Sequence, residues 1–382
     1  MKTLFTCHYP FDVNAGAAGV TCRLGQEYQK LGHDVQYYFI DELPGKLPEL
    51  AKFASFPEFT ARHIWALCQR EAIDVIDASS GDAWVWAKFL QHFSAHRPLI
   101  VTRDHGLEHS FHLQYLENAQ RGEQKLSWKY PLYRGSVRLW EVEASMRHSD
   151  LVLLLNQVDL KYAIDELGVD PNRAHVVANG IPAAFIDLPF EPTPLAADST
   201  IRIAQVSTYI PRKGIRYSAP ALNRLLARYP QVQVTLLGTQ CFECPEAAQV
   251  YADFDPGVRD RIQVIPRFSN EKLPELLKGH QIKLFPTLSE GFSVALTETM
   301  ACGLAPITTA TAGPLEIVRD GENGLIIPPR DTEAIEQALE RLINDREWLD
   351  QLRRNAYKTA QNYQWSRVAR DNLQCYEKAL SP

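Results

Sequence analysis

The stretch that most constrains this 382-residue chain is residues 281–303, QIKLFPTLSEGFSVALTETMACG. Ile282, Leu284 and Phe285 form a short apolar run suited to a buried strand, and Pro286 ends it. From Phe292 onward Val294, Leu296, Met300 and Ala301 read as a helix, closed by Cys302-Gly303. A buried strand that feeds a helix through a polar turn belongs to an α/β architecture. The pattern predicts a helix N-terminus near Gly291, where unpaired amides and the positive dipole end make a seat for phosphate. Glu290 precedes that helix and Glu298 lies about two turns into it, so two carboxylates flank the seat at different depths. Carboxylates repel phosphate but accept hydrogen bonds from sugar hydroxyls.

The same alternation runs along the chain. Residues 2–8 read as a strand, 17–32 as a helix and Asp34–Ile40 as a second strand. A helical piece around 58–71, a strand Ile73–Asp77, a helix from Asp82 to Phe93 and a strand Pro98–Arg103 follow. Leu151–Leu155 is continuously apolar, as a central parallel strand requires. Residues 185–200, FIDLPFEPTPLAADST, contain three prolines and no periodicity, which marks a linker. Strands are then expected at Ile201–Ser207, Val232–Gly238, Arg261–Pro266, Ala305–Thr308 and Gly324–Ile327, and one long helix from Thr332 to Gln361. A chain of this length exceeds one typical hydrophobic core. The expected organisation is a first domain over 1–185, a linker over 186–200, a second domain over 201–362 and an amphipathic final helix over 363–382, with Trp365, Val368, Leu373 and Tyr376 on one side.

Ligands on such sheets bind beyond the carboxyl ends of strands, so the segments after strands carry the candidates. In the loop Pro10–Gly19, Gly16 and Gly19 allow close backbone approach to a ligand. After the fourth strand the chain reads Asp104-His105-Gly106-Leu107-Glu108-His109-Ser110. The histidines at 105, 109 and 112 raise the alternative of zinc, but no fourth ligand is evident. Pro211-Arg212-Lys213-Gly214 places two cations after the first strand of the second domain, and Arg267 follows a later one. Between 119 and 140, Arg121, Lys125, Lys129, Arg134 and Arg138 oppose only Glu123, with Trp128, Tyr130, Tyr133 and Trp140 interleaved. Two readings stand: a basic aromatic surface that contacts anionic lipid, or a solvated helix with a buried aromatic side.

The segment SEGFSVALTETMACGLAPITTATAGPLEIVRDGENGLIIPP, with Glu290 and Glu298 eight residues apart, resembles the donor-site segment of retaining glycosyltransferases of the group 1, or family 4, type. KLGHDV at 30–35, DHGLEH at 104–109 and Lys213-Gly214 extend the likeness over nearly the whole chain. That resemblance implies the GT-B fold, two Rossmann-like domains facing across a cleft, with the last helix returning to the first domain. It implies transfer of a sugar from a nucleoside-diphosphate sugar, UDP- or GDP-linked, to a glycan, lipid-linked or small-molecule acceptor.

The carried-over roles are specific. Glu298 binds the nucleotide ribose and Glu290 the donor sugar. Gly291, Phe292 and Ser293, with Lys213 and Arg212, hold the diphosphate, and Gly16 faces it from the first domain. His105 faces the reacting centre through a positively biased or hydrogen-bonding imidazole. Arg267 stacks on the base, while Glu108 and His109 lie on the acceptor side. Two departures stand out: Thr208 occupies the position of a family arginine, and Ala15-Gly16 stands for a Gly-Gly pair. They favour, as rivals, a nucleotide-sugar-binding protein without turnover; an epimerase or hydrolase on the same fold is the other.

No cofactor and no metal is expected, because no Asp-x-Asp lies in a donor-site context. A net charge of −6 argues against a general nucleic-acid partner. No run of about 18 apolar residues occurs, so a cytosolic protein, soluble or peripheral to the inner membrane face, is expected. Seven cysteines, an odd number without a framework pattern, suit a reducing compartment, and Cys241-Phe242-Glu243-Cys244 reads as ordinary thiols before it reads as a zinc or redox motif.

Overall fold

A computed structural model describes residues 1–13, 16–190 and 199–381. Ala15 of the expected glycine-pair position and residues 191–198 of the expected linker lie outside the described residues. The chain forms two compact units, one of Met1–Asn179 with Trp365–Pro382 and one of Gly180–Gln364.

The first unit is built from β1 (Lys2–Cys7), α1 (Gly16–Lys30), β2 (Asp34–Phe39), α2 (Glu49–Cys68), β3 (Val75–Ser79), β4 (Leu99–Arg103), α3 (Glu108–Gln120), α4 (Val137–His148), β5 (Leu151–Leu154), α5 (Gln157–Asp165) and β6 (Ala174–Val176). Its sheet has the order β2-β1-β3-β4-β5-β6, with every pairing parallel. Parallel strands are covered on both faces, which is why β3, β4 and β5 are buried at every position.

The second unit contains β7 (Ile201–Val206), α6 (Ile215–Arg228), β8 (Val232–Leu237), α7 (Ala247–Ala252), β9 (Ile262–Ile265), α8 (Leu273–Leu276), β10 (Ile282–Phe285), α9 (Val294–Ala301), β11 (Ala305–Thr309), α10 (Ala312–Ile317), β12 (Leu325–Ile327), α11 (Thr332–Asn344) and α12 (Arg346–Ala360). Its sheet runs β12-β11-β10-β7-β8-β9, again parallel throughout. In each sheet the order reverses at one place: between β1 and β3 in the first, and between β7 and β10 in the second. Crevices open at the carboxyl ends of strands at such reversals.

The last helix, α13 (Trp365–Leu380), belongs to the first unit. Trp365, Val368, Ala369, Leu373 and Tyr376 pack with Phe5, Leu24, Tyr28 and Val101. A buried polar knot ties it further. The Arg103 guanidinium donates to Asp77 Oδ2 at 2.6 Å, to Asn372 Oδ1 at 2.8 Å and to the Tyr376 hydroxyl oxygen at 3.0 Å, and that hydroxyl donates in turn to Asp77.

Several expected elements differ. The long helix over 332–361 is two helices, because Asp345 caps α12 by accepting from the Trp348 N–H at 2.9 Å. The helix expected over 82–93 is a turn followed by a π-helical stretch at Trp86–Leu90 and a 3-10 turn at Gln91–Phe93. β3 starts two residues later than expected, and α2 begins at Glu49 rather than near 58. Residues 121–136 are mostly turns, so the solvated-helix reading of 119–140 fails there: Trp128 is 76% exposed. Arg138 leaves the expected basic surface altogether. It is buried and paired with Glu108 at 3.1 Å and Glu141 at 3.4 Å.

Candidate functional site

The reversal in the second sheet collects most of the expected donor-site residues. After β7 the chain makes a 3-10 turn, Pro211–Lys213, and then Gly214 adopts φ +74 as the N-cap of α6. A Cβ at Gly214 would stand 1.9 Å from the Pro286 carbonyl oxygen, so only glycine lets this turn press against the end of β10. The approach brings Lys213 to Glu290, whose carboxylate accepts from Nζ. Arg212 Nη1 lies 3.8 Å from the same carboxylate and donates to the Ser289 carbonyl at 3.0 Å. Burial holds the Lys213 ammonium below the usual lysine range; Glu290 opposes that shift and Arg212 adds to it.

The turn after β10 is gripped from the other side. The Gly313 N–H donates to the Glu290 carbonyl at 2.7 Å, and a Cβ at Gly313 would come within 2.8 Å of that oxygen. Gly291, Phe292 and Ser293 are buried, and the Phe292 ring packs on Tyr363 at 5.7 Å. The helix N-terminus is at Val294, not near Gly291. Ser293 is the cap, its Oγ accepting from the Leu296 N–H at 3.2 Å. Gly291 and Phe292 therefore belong to the turn that precedes the helix; a serine before a helical run is an N-cap signal that could have placed the boundary. Glu298, buried on α9, accepts from Asn270 Nδ2 at 2.8 Å, which joins it to the segment after β9. Arg267 in that segment is exposed.

Lys283 escaped the sequence reading. It is a fully buried lysine in the strand IKLF, with Nζ donating to the Val206 carbonyl at 3.0 Å. Burial pushes its pKa well below the lysine range, Lys213 adds to this, and Glu298 and Glu290 pull the other way, so it shares the electrostatic field of the site. A single charged residue inside an apolar strand was the available signal.

In the first unit, His105 follows β4 and its Nε2 lies 3.1 Å from Ser79 Oγ. Burial, followed by the charges of Arg103 and His8, lowers its pKa to about 3. The ring is thus neutral at ordinary pH, and the positively biased imidazole gives way to the hydrogen-bonding one. Its Nδ1 is sealed from solvent without a hydrogen-bond partner. Glu108 starts α3 and is engaged by Arg138, while His109 is buried beside Tyr162. His112 pairs with the Tyr130 hydroxyl at 2.9 Å, and among the described residues no group of three or more His, Cys, Asp or Glu side chains is arranged to hold a metal ion. Gly16 is the exposed first residue of α1, and an added Cβ there would meet nothing within 4 Å. Gly19 is needed for packing instead, since its Cβ would lie 2.8 Å from the Val13 carbonyl oxygen. Cys241 and Cys244 are free thiols.

Two imidazoles shielded from solvent, His280 wholly and His105 in part, give stability a pH dependence. His280, bonded to Thr235 Oγ1 at 2.8 Å, is lowered by burial to about 4, and His105 to about 3, from an ordinary value of 6.5. Between those values the unfolded chain binds more protons than the folded one. Their contribution is complete above the unfolded value and is lost as pH falls toward the folded ones. The midpoint of thermal unfolding by circular dichroism is expected to drop from about pH 7 to about pH 4, and to drop less in His280→Gln. Equal pH dependence in the two chains contradicts this.

Two all-parallel sheets of the same construction, each with its reversal crevice, define the GT-B class of α/β protein, and the comparisons agree. The sequence model described as "Glycosyl transferases group 1" matches residues 191–359, and that described as "Glycosyltransferase Family 4" matches residues 15–185. The chain belongs to this group 1, family 4 type of glycosyltransferase sequence. Among its relatives, the MMP alpha-(1->4)-mannosyltransferase of Mycolicibacterium hassiacum is 28% identical over 258 residues, 66% of this chain and 60% of the relative. The match thus spans about three fifths of that relative's length. Among solved structures, sucrose-phosphate synthase from Thermosynechococcus elongatus superposes with a TM-score of 0.76 at 18% identity, covering 99% of both chains. HepE of Anabaena in complex with UDP gives 0.72 at 17% identity, covering 99% of this chain and all of that one.

Proposed function

We propose that this protein is a retaining glycosyltransferase that moves a sugar from a nucleoside-diphosphate sugar, UDP- or GDP-linked, to a glycan, lipid-linked or small-molecule acceptor, without a metal or other cofactor. The observation that carries the reading is the meeting of Lys213 with Glu290 at the reversal between β7 and β10. A departing diphosphate gains negative charge, and a preplaced cation stabilises that charge more in the transition state than before it. Lys213 and Arg212 supply the cations, and the amides of Gly291, Phe292 and Ser293 complete the anion seat. Glu290 is released from Lys213 to the hydroxyls of the donor sugar. Glu298 binds the ribose, Arg267 lies against the base, Gly16 faces the diphosphate and the neutral His105 hydrogen-bonds at the reacting centre. Glu108 and His109 are placed on the acceptor side. That HepE was solved with UDP and with UDP-glucose supports a nucleotide-sugar ligand.

Thermal-shift measurements against UDP, GDP, ADP and their sugars test this, since a ligand selective for the folded state raises its melting point. Glu298→Ala is expected to weaken nucleotide binding by about tenfold or more, the loss of a charge-assisted hydrogen bond of roughly 1.5–3 kcal/mol. Calorimetry with the selected nucleotide checks it, and unchanged affinity removes Glu298 from the ribose role. Product analysis separates the rivals: binding without sugar release indicates a protein without turnover, and release without transfer an epimerase or hydrolase.

Peripheral membrane contact is the second part of the proposal. Among the described residues no helix is long and apolar enough to cross a membrane. Trp128 and Leu132 are exposed in the turns between α3 and α4, with Lys129 Nζ 5.5 Å from the Trp128 ring centroid. Aromatic and cationic side chains together suit an anionic headgroup surface. Vesicles containing phosphatidylserine are expected to retain the protein at low salt and release it at high salt, with Trp128→Ala reducing retention. Equal recovery on neutral and anionic vesicles rejects the contact.

A further inference from the structure

The two strands at the reversal of the second sheet part before they end. β7 pairs with β8 as far as Val206, but with β10 only at Ile203–Ile282 and Ala204–Lys283. Beyond that rung the sheet opens, and the Lys283 side chain runs into the opening. Its neighbour across the rung is Ala204, yet its Nζ donates to the Val206 carbonyl, two residues nearer the carboxyl end of β7, at 3.0 Å. The side chain thus climbs toward the edge where ligands bind on parallel sheets. Ile282 and Leu284 on either side belong to the apolar core, so alternation along the strand turns Lys283 away from it.

A lysine is a costly residue for packing alone in this place. It is fully buried, and among the described residues the Val206 carbonyl is its one hydrogen-bond partner, so two of its three ammonium hydrogens are unused. A neutral donor would serve that carbonyl without sealing a charge from water. The Phe285 ring joins the lysine to the site above. Lys283 Nζ lies 5.2 Å and Lys213 Nζ 5.4 Å from its centroid, so the two nitrogens stand at most about 11 Å apart, a span over which buried charges are poorly screened. The charged groups that act on Lys283 are Lys213 of the turn after β7, Glu298 of α9 and Glu290 of the turn after β10. Its strand neighbours, Ala204 on β7 and Pro306 on β11, are uncharged. Lys213 and Arg212 are matched by Glu290 and Glu298. A doubly charged diphosphate therefore meets no surplus side-chain cation unless Lys283 supplies it.

We propose that Lys283 is a positioning residue for the donor, its ammonium lying beneath the diphosphate seat and holding the nucleotide by charge from below. This rests on the nucleotide-sugar reading and adds to it a residue that the roles above leave out. Burial and Lys213 loosen the lysine's hold on its proton in the free protein, whereas an arriving anion tightens it. Binding of the diphosphate is thus coupled to uptake of a proton by Nζ from the buffer.

The test uses the full chain and calorimetry with the nucleotide sugar selected by thermal shift, UDP-glucose first, in buffers of different ionisation enthalpy between about pH 6 and about pH 8.5. Lys283→Met is expected to raise the Kd about tenfold, while the melting point of the ligand-free chain stays equal or rises. Lys283→Gln keeps a donor for the Val206 carbonyl without the charge, and is expected to raise the Kd to the same degree; it also serves should Lys283→Met not fold. The wild type is expected to take up about half a proton more per nucleotide than either variant at some pH in that range. A wild-type Kd in a folded variant overturns the proposal, and a lower melting point beside it identifies a lysine that only supports the sheet. Wild-type affinity in Lys283→Gln with a loss in Lys283→Met also overturns it, because the hydrogen bond and not the charge is then at work, and so does equal proton uptake in all three chains. Each of these leaves nucleotide binding by the wild type intact, whereas a wild type that binds no nucleotide overturns the donor reading itself, and this one with it.

Discussion

Glu290→Ala is expected to lower sugar transfer by about 1,000-fold while nucleotide affinity stays equal or rises, a split that follows from what Glu290 touches. In the free protein its carboxylate is the partner of Lys213, with Arg212 at 3.8 Å. Both side chains are largely shielded from water, so their attraction is stronger than that of a surface pair. Removing the carboxylate frees the cation for a diphosphate, and nucleotide binding has no reason to weaken. On the proposed reading, what disappears is the hydrogen-bond acceptor for the donor sugar, whose position would set the anomeric carbon against the acceptor. Calorimetry with the nucleotide and a transfer assay on the same preparation decide it. Weaker nucleotide binding with proportionate loss of transfer would place Glu290 at the nucleotide instead, and wild-type transfer would remove it from the site.

Lys213→Met is expected to cost more on both counts, with kcat/KM falling by about 1,000-fold or more and nucleotide binding falling as well. The substitution removes the nearer cation and leaves Glu290 facing an incoming anion with only Arg212, 3.8 Å away, to offset its charge, so attraction is weakened and repulsion exposed. Methionine keeps most of the side-chain volume over the Phe285 ring, where Nζ now sits 5.4 Å from the centroid, so a packing defect is small. The double variant with Glu290→Ala sharpens the test. If the two act as a pair, it binds nucleotide better than Lys213→Met alone, because the repulsive carboxylate is gone. Strictly additive losses would show that the two residues serve separate ligands.

How much of this was readable in the residues depends on the distance over which each feature is decided. The segment QIKLFPTLSEGFSVALTETMACG is a strand, a turn and a helix by its own pattern, and it folds so, with an error of about one helical turn in where the helix begins. The break between α11 and α12 had a local signal too, in Asp345, yet the continuous amphipathic pattern on either side masked it. Residues 119–140 misled for a different reason. In the sequence their charges read as one surface, but Arg138 turns inward to three carboxylates, Asp82, Glu108 and Glu141, two of them contributed by other elements.

By itself the sequence determined the two α/β halves, the amphipathic final helix with Trp365 on its packing side, and the candidate site segments after strands, since each of these rests on side-chain period and turn chemistry within some twenty residues. Only the tertiary structure decided that Lys213 meets Glu290 across 77 positions, that His8 meets Asp82 across 74, and that Lys283 lies sealed beneath the same site. Those meetings depend on strand order. Parallel sheets place β10 beside β7 and β3 beside β1 through crossovers whose sequence carries no local mark of which neighbour is chosen, so the charges at the strand ends find their partners only once the sheets have formed.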